Sequence, residues 1–235
     1  MILYKDTFEN FATNHLAISS AHVDEYKKLI NQTPAVIEER EMRFTLMSVF
    51  DRLMADRIIY VGTPIYSGMA NIINAQLLYL DSVNNKDIEF KINSPGGEVY
   101  AGLSTIDSME LCKSEIITGV NGIAASMASV LLGAGVKGKR TATRFSRVML
   151  HQSSGGTGGN IQDAEVAMIE WKRLNHDLFE LLGEYSNKTA EQVKKDATRD
   201  LWLSSIEALE YGIVDKVFWS KDVTYTRENL KDLKK

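Results

Sequence analysis

Ser126 and His151 are the two residues whose types and settings most favour catalytic chemistry in this sequence. Ser126 lies among small residues, in the run AASMA at positions 124–128, where a turn leads into a predicted helix. Backbone amides at such a helix start are free to bind a substrate oxygen. His151 follows the apolar run 148–150 and precedes a glycine-rich stretch. A histidine that accepts the proton of a serine hydroxyl makes that oxygen a nucleophile, so the pair predicts acyl transfer, although each residue alone is more often structural.

The acidic partner of such a histidine is not settled by the local pattern. A catalytic imidazole needs a third group that fixes its tautomer and stabilises its charged form. Asp196 and Asp200 are two neighbouring carboxylates that qualify by type, and composition prefers neither of them.

Two pairs of glycines lie where backbone groups could contact a substrate. Gly96 and Gly97 follow a predicted strand in the run SPGG, so their amides either face a developing oxyanion or form an ordinary turn. Gly155 and Gly156 open the run GGTGG, which is either a linker or a strand edge that pairs with an extended peptide. Neither run has the G-x-G-x-x-G or Walker pattern of a nucleotide-binding loop.

Short apolar strands alternate with helices along the chain and must position these residues. Capping-box patterns at Thr189 and Ser204 predict two late helices. Such repeated units predict an α/β domain with mainly parallel strands and ligands beyond their carboxyl ends, where Ser126 and His151 fall. The predicted strands cover 58–61, 88–92, 116–120, 148–150 and 213–217, and the clearest predicted helices cover 69–80 and 161–185.

Composition narrows the class of protein further. The 235 residues carry a formal net charge of −4, with 44% apolar and 25% charged residues, which is typical of one packed domain and argues against a nucleic-acid partner. Cys112 is the single cysteine and excludes an intramolecular disulfide and a Cys-rich zinc site, and no metal or cofactor is predicted. Residues 116–136 lack charge, but Gly119 and Gly122 favour a strand, turn and helix over a membrane span. No secretory signal is recognised, so we expect a cytoplasmic protein.

Four motifs in register carry a family resemblance. They are INSPGG at 92–97, GIAASM at 122–127, SRVMLHQ at 146–152 and the pair RD at 199–200. Over residues 49–217 the chain closely resembles the proteolytic subunits of bacterial Clp proteases, the ClpP family.

The resemblance implies a role for each candidate residue. Ser126 would be the nucleophile, His151 the general base and then acid, and Asp200 the group that orients the imidazole. The amides of Gly97 and Met127 would form the oxyanion hole.

The remaining glycines would bind substrate on the same resemblance. A peptide would lie along Gly155 and Gly156 by backbone pairing, next to Gly96, which suits broad specificity for unfolded polypeptides.

The family architecture implies a ClpP/crotonase-like fold and a large assembly. The single domain would stack as two heptameric rings that enclose the active sites, and a separate ATP-driven unfoldase of the AAA+ class would feed them. The long helix from Ile161 would make the ring-to-ring contact. The implied divisions are an N-terminal extension or propeptide at 1–33, an axial pore loop at 34–47, the peptidase domain at 48–218 and a charged tail at 219–235.

The sequence departs from the family pattern at four positions. Ser153 stands where members usually have proline, and Thr198 replaces a common acidic residue. Glu89 and Lys91 lie where aromatic residues of the unfoldase-docking groove are expected. The differences at Glu89, Lys91 and Thr198 keep open a catalytically silent or partner-dependent subunit of a mixed ring, whereas Ser153 concerns the path of the chain beside His151. A crotonase-type acyl-CoA enzyme shares the fold and is disfavoured by the ordered serine, histidine and aspartate.

Overall fold

The fold is known from a computed structural model. It describes residues 35–40, 43–156 and 159–231, together with Thr13, residues 18–21 and Val23. The extension predicted at 1–33 therefore lies almost wholly outside the described residues, although Val23 is buried against the hydrophobic core.

The region expected to form the pore loop is a β-hairpin over most of its length. Strand β1 (Ala35–Arg40) pairs antiparallel with β2 (Arg43–Ser48). Ser48 then caps helix α1 (Val49–Ala55), because its side chain accepts a hydrogen bond from the amide of Asp51 and the Asp51 carboxylate accepts one from the Ser48 amide.

A largely parallel sheet forms the centre of the domain. Its strands are β3 (Ile58–Val61), β4 (Ile88–Ser94), β5 (Ile116–Ala125), β6 (Thr141–Thr143), β7 (Arg147–Leu150), β8 (Leu201–Ser204), β9 (Lys216–Phe218) and β10 (Thr224–Thr226). Their order is β10-β9-β6-β5-β4-β3, with β7 beside the end of β5 and β8 antiparallel to β7. Five neighbouring strands run parallel, and β10 closes one edge antiparallel to β9. This arrangement confirms the predicted α/β class.

The helices pack on the sheet through apolar stripes, except for one half of the longest helix. The longest helix, α5 (Ile161–Tyr185), buries Leu178, Phe179 and Leu182 near its C-terminal end, whereas Val166 and Ile169 in its N-terminal half are 68 and 53% exposed. The first half of α5 thus projects from the core. The helices that follow α1 are α2 (Ser67–Val83), α3 (Val99–Leu111), α4 (Met127–Gly133), α5 (Ile161–Tyr185), α6 (Ala190–Asp196) and α7 (Ser205–Tyr211).

Strand β5 and the C-terminal segment differ from the sequence-based bounds. The turn predicted at residues 121–122 is absorbed into β5, because Gly122 adopts a φ of 107° beside Asn93 and the strand continues to Ala125. Part of the expected charged tail joins the sheet as β10. Residues 116–136 accordingly form a strand, a turn and a short helix, and the described residues include no helix long and apolar enough to cross a membrane.

Candidate active site

Ser126 occupies a sharp turn between a strand and a helix. Strand β5 ends at Ala125 and α4 begins at Met127. Ser126 therefore links the two elements and is not part of the helix. Its φ of 55° and ψ of −127° lie in a region that costs a residue with a side chain about 1–3 kcal/mol. The surrounding hydrogen bonds hold this conformation. The Ser126 amide donates to the carbonyl of Met149 at 2.9 Å, and its carbonyl accepts from the Ser129 hydroxyl at 2.6 Å.

The imidazole of His151 lies directly against the Ser126 hydroxyl. Strand β7 runs parallel to the end of β5, with Ala125 opposite Met149, and His151 is the first residue beyond β7. Its Nε2 is 2.7 Å from Oγ of Ser126. This is hydrogen-bond distance, so the ring nitrogen can accept the hydroxyl proton.

The tertiary structure distinguishes the two candidate carboxylates. Asp200 comes just before β8, whose antiparallel pairing with β7 brings it opposite His151. Its Oδ1 is 3.6 Å from His151 Nδ1, beyond hydrogen-bond distance but close enough for ion pairing with a protonated ring. Asp196 instead accepts hydrogen bonds from the Gln192 side-chain amide at 2.6 Å and the Tyr211 hydroxyl at 3.2 Å. The structure therefore brings Asp200, and not Asp196, to the imidazole.

The Gly96-Gly97 turn lies against the Ser126 turn. A Cβ on Gly96 would come within 2.7 Å of Ser126 Cβ and 2.9 Å of the Met127 nitrogen, and the φ of Gly96 is 89°. The amide of Gly97 is not used in the bridge to Ile65, in which Ile65 donates to the Gly96 carbonyl. Met127 is the first residue of α4, so its amide has no acceptor within the helix. Both proposed oxyanion donors thus belong to backbone turns beside the hydroxyl.

The segment after His151 borders an open cavity of about 370 Å³, which also contacts Trp171 and residues 197–200. Residues 151–156 pair with no strand in the described part of the chain, so the backbone edge expected at Gly155 and Gly156 is unpaired there. Gly155 packs on the indole of Trp171, and a Cβ added to Gly155 would lie 2.9 Å from the indole ring. A Cβ added to Gly156 would meet no atom within 4 Å.

Ser153 makes contacts that the sequence did not reveal. Its backbone amide donates to Oδ1 of Asn175 at 2.9 Å, a bond that a proline at this position could not form. Trp171 and Asn175 are four residues apart and therefore share one face of α5, which is the signal that the sequence offered.

Cys112 is partly buried against the core and offers no competing nucleophile. Burial raises the pKa of its thiol to about 11, so the reactive thiolate is scarce at neutral pH.

The sequence matches a known family over most of its length. A family model described as Clp protease matches residues 39–221. The chain belongs to the Clp protease family. The resemblance inferred from the four motifs is thereby confirmed, and the family is one of serine peptidases.

Curated relatives agree with this assignment. The ATP-dependent Clp protease proteolytic subunit of Porphyromonas gingivalis is 47% identical over 213 residues, which cover 89% of this chain and 96% of the relative. The proteins of the same name from Bacteroides fragilis and Bacteroides thetaiotaomicron are 45 and 44% identical, and each alignment covers 92% of this chain and all of the relative.

Proposed function

We propose that this chain is a serine endopeptidase subunit that hydrolyses unfolded polypeptides through an acyl-enzyme. The observation that carries the proposal is the 2.7 Å contact between Ser126 Oγ and His151 Nε2, made by a serine on a strained turn. The ordered serine, histidine and aspartate, in a chain of the Clp protease family, support the same conclusion.

The proposed mechanism follows from these contacts. His151 accepts the hydroxyl proton as Ser126 Oγ attacks the peptide carbonyl, and the amides of Gly97 and Met127 bind the resulting oxyanion. His151 then gives the proton to the leaving amine, which leaves an ester on Ser126. Water, deprotonated by the same imidazole, hydrolyses that ester, and Asp200 stabilises the imidazolium in both steps.

A substrate comparison tests the reaction class. The purified chain is incubated with a fluorogenic peptide, a labelled unfolded polypeptide and an acyl-CoA thioester. Peptide cleavage without thioester turnover is expected. Thioester turnover alone would favour the crotonase-type alternative, and inactivity towards all three would favour a silent or partner-dependent subunit.

Asp200→Asn should lower kcat for peptide hydrolysis by about 10²-fold. The effect is smaller than for a buried triad aspartate, because the Asp200 side chain is 59% exposed and water can stabilise part of the charge on the imidazolium in its place. Asp196→Asn is the matched control, because the Asp196 carboxylate accepts hydrogen bonds from Gln192 and Tyr211 and does not contact His151. This substitution should leave kcat within about twofold of the wild-type value. Equal losses in the two variants would count against the assignment of Asp200.

In the proposed assembly, two heptameric rings stack through α5, and a cytoplasmic AAA+ unfoldase of the Clp type delivers substrates. The stacked rings, built from ClpP/crotonase-like domains, would enclose the active sites in this way. Exposed apolar residues on the projecting half of α5 support a contact there, because burying apolar surface in a contact between subunits is favourable. On the proposed unfoldase-docking face, Glu89 and Lys91 form an ion pair on β4.

Ile169→Glu should shift the assembly towards smaller species. Ile169 is 53% exposed in the isolated chain, and a charge buried at a ring contact without a partner is strongly unfavourable. Sedimentation velocity would measure the change, with Gln162→Glu as a control that adds the same charge to the same helix without removing an apolar contact. An unchanged sedimentation coefficient for Ile169→Glu would contradict a contact through this face.

A further inference from the structure

The position of His151 depends on what holds the chain on its two sides. Before it, β7 is fixed by ladders to β5 and β8. After it, residues 151–156 leave the sheet and have no ladder to any strand that the structure describes. The first side-chain anchor beyond the imidazole is at Ser153.

Three hydrogen bonds fasten Ser153 to helix α5. The Ser153 amide donates to Oδ1 of Asn175 at 2.9 Å, and its hydroxyl contacts the same oxygen at 3.1 Å. The indole Nε1 of Trp171 donates to the Ser153 hydroxyl at 2.8 Å. We call these three residues the Ser153 clamp.

The chemistry of the donors fixes every partner in the clamp. A backbone amide and an indole N–H can only donate, so Asn175 must turn its oxygen towards Ser153, and the hydroxyl must accept from Trp171. The hydroxyl proton is then free to bond to Asn175, and the amide oxygen has lone pairs for both bonds. Each donor hydrogen is used once, so the clamp has one arrangement of hydrogen bonds.

The helix side of the clamp is anchored in the core. Trp171, Asn175 and Phe179 follow one another at four-residue intervals on the same face of α5, and Phe179 is only 4% exposed. The indole also covers Gly155, where a Cβ would lie 2.9 Å from the ring. Both Ser153 and Gly155 are thus tied to a helix that cannot shift without disturbing the core.

We infer that the Ser153 clamp sets the position of the His151 imidazole, and that Ser153, Trp171 and Asn175 are positioning residues for peptide hydrolysis. The inference rests on the proposed function. The imidazole must stay within hydrogen-bond distance of Ser126 Oγ to take its proton, and a displacement of about 1 Å can cost on the order of 10²-fold in rate.

Kinetics of three clamp variants test the inference. Asn175→Leu removes the shared acceptor at similar volume, Ser153→Ala removes the hydroxyl, and Ser153→Thr keeps both the amide and the hydroxyl. We expect Asn175→Leu to lower kcat about 10- to 100-fold and Ser153→Ala about 10-fold, with KM within about twofold, because the reacting geometry changes and not the binding of substrate. Ser153→Thr should retain kcat within about threefold, since its hydroxyl can make the same bonds.

The variants are assayed well below their unfolding temperatures, and sedimentation confirms equal assembly. A merely structural role would lower the unfolding temperature and leave kcat unchanged, and that result would overturn the inference. A rise in KM alone would also overturn it, because Ser153 would then act as a wall of the substrate cavity. If the wild type hydrolyses peptide and all clamp variants are equally active, the positioning role of the clamp is wrong but the proposed function stands. If the wild type is inactive, both the proposed function and this inference are wrong.

Discussion

Ser126→Ala should lower peptide hydrolysis by on the order of 10⁴-fold or more while assembly remains intact. The substitution removes the nucleophilic oxygen that lies 2.7 Å from His151 Nε2, and no acyl-enzyme can then form. The change is small and leaves the backbone bonds of the turn in place, so the fold should tolerate it. Steady-state hydrolysis of a fluorogenic peptide measures the effect.

Ser220→Ala provides the control for this variant, because Ser220 is exposed and lies in the turn between β9 and β10, outside the candidate site. It should hydrolyse the peptide at the wild-type rate. Wild-type activity in a carefully purified Ser126→Ala preparation would show that another group is the nucleophile, whereas loss of activity together with loss of assembly would point to a structural defect.

Arg140→Ala should destabilise the fold by about 3–5 kcal/mol. The Arg140 and Asp215 side chains are only 2 and 7% exposed, and they form a two-point ion pair with bonds of 2.7 and 2.8 Å. Arg140 also donates to the carbonyl of Gly212 at 2.9 Å, and so joins the start of β6 to the end of α7. Removing the guanidinium leaves a buried carboxylate without its main counter-charge, which costs far more than a lost surface contact.

Lys139→Ala is the matched control for this stability prediction. Lys139 is the preceding residue and pairs with Asp87 at 2.7 Å, but on the surface, where such a pair contributes at most about 1 kcal/mol. Urea unfolding monitored by circular dichroism would compare the variants. Similar midpoints for Arg140→Ala and Lys139→Ala would contradict the importance of the buried pair.

The same pair gives stability a dependence on pH. Burial opposes ionisation of Asp215, but the hydrogen bonds and charge of Arg140 outweigh it and hold the pKa of this carboxyl below its ordinary value. A pKa that is lower in the folded state stabilises the fold above the ordinary carboxyl pKa, and this contribution disappears as the pH falls below about 4. Arg140→Ala should therefore flatten the loss of stability in that range.

Much of the domain could be predicted because its long elements carry strong patterns. The apolar pattern of residues 161–185 predicted both ends of helix α5, and the apolar run before His151 predicted β7. Strands β6 and β10 were not predicted, because their sequences TAT and TYT contain no apolar run. Strand β8 was also missed, since a short apolar run such as residues 201–203 fits a buried helix segment as well as a strand. The extension of β5 past Gly122 also escaped prediction, since a glycine within a strand has the same local signal as a turn.

The site shows a similar division between local and tertiary information. The setting of Ser126 and His151 marked them as candidates, but the local pattern did not choose between Asp196 and Asp200. The family resemblance selected Asp200, and the pairing of β8 with β7 places that residue beside His151. The Ser153 clamp joins residues 22 positions apart, and its formation depends on the rotation of α5 about its own axis, which a sequence pattern does not fix.

Intact-protein mass spectrometry after treatment with a fluorophosphonate probe tests the central claim most directly, because the probe reacts only with an activated nucleophile. We expect one adduct per chain on the assembled wild type, mapped to Ser126 by peptide sequencing and absent from Ser126→Ala. An adduct on a different residue, or an unmodified wild type in its assembled form, would contradict the assignment of Ser126 and His151 as the nucleophile and its base.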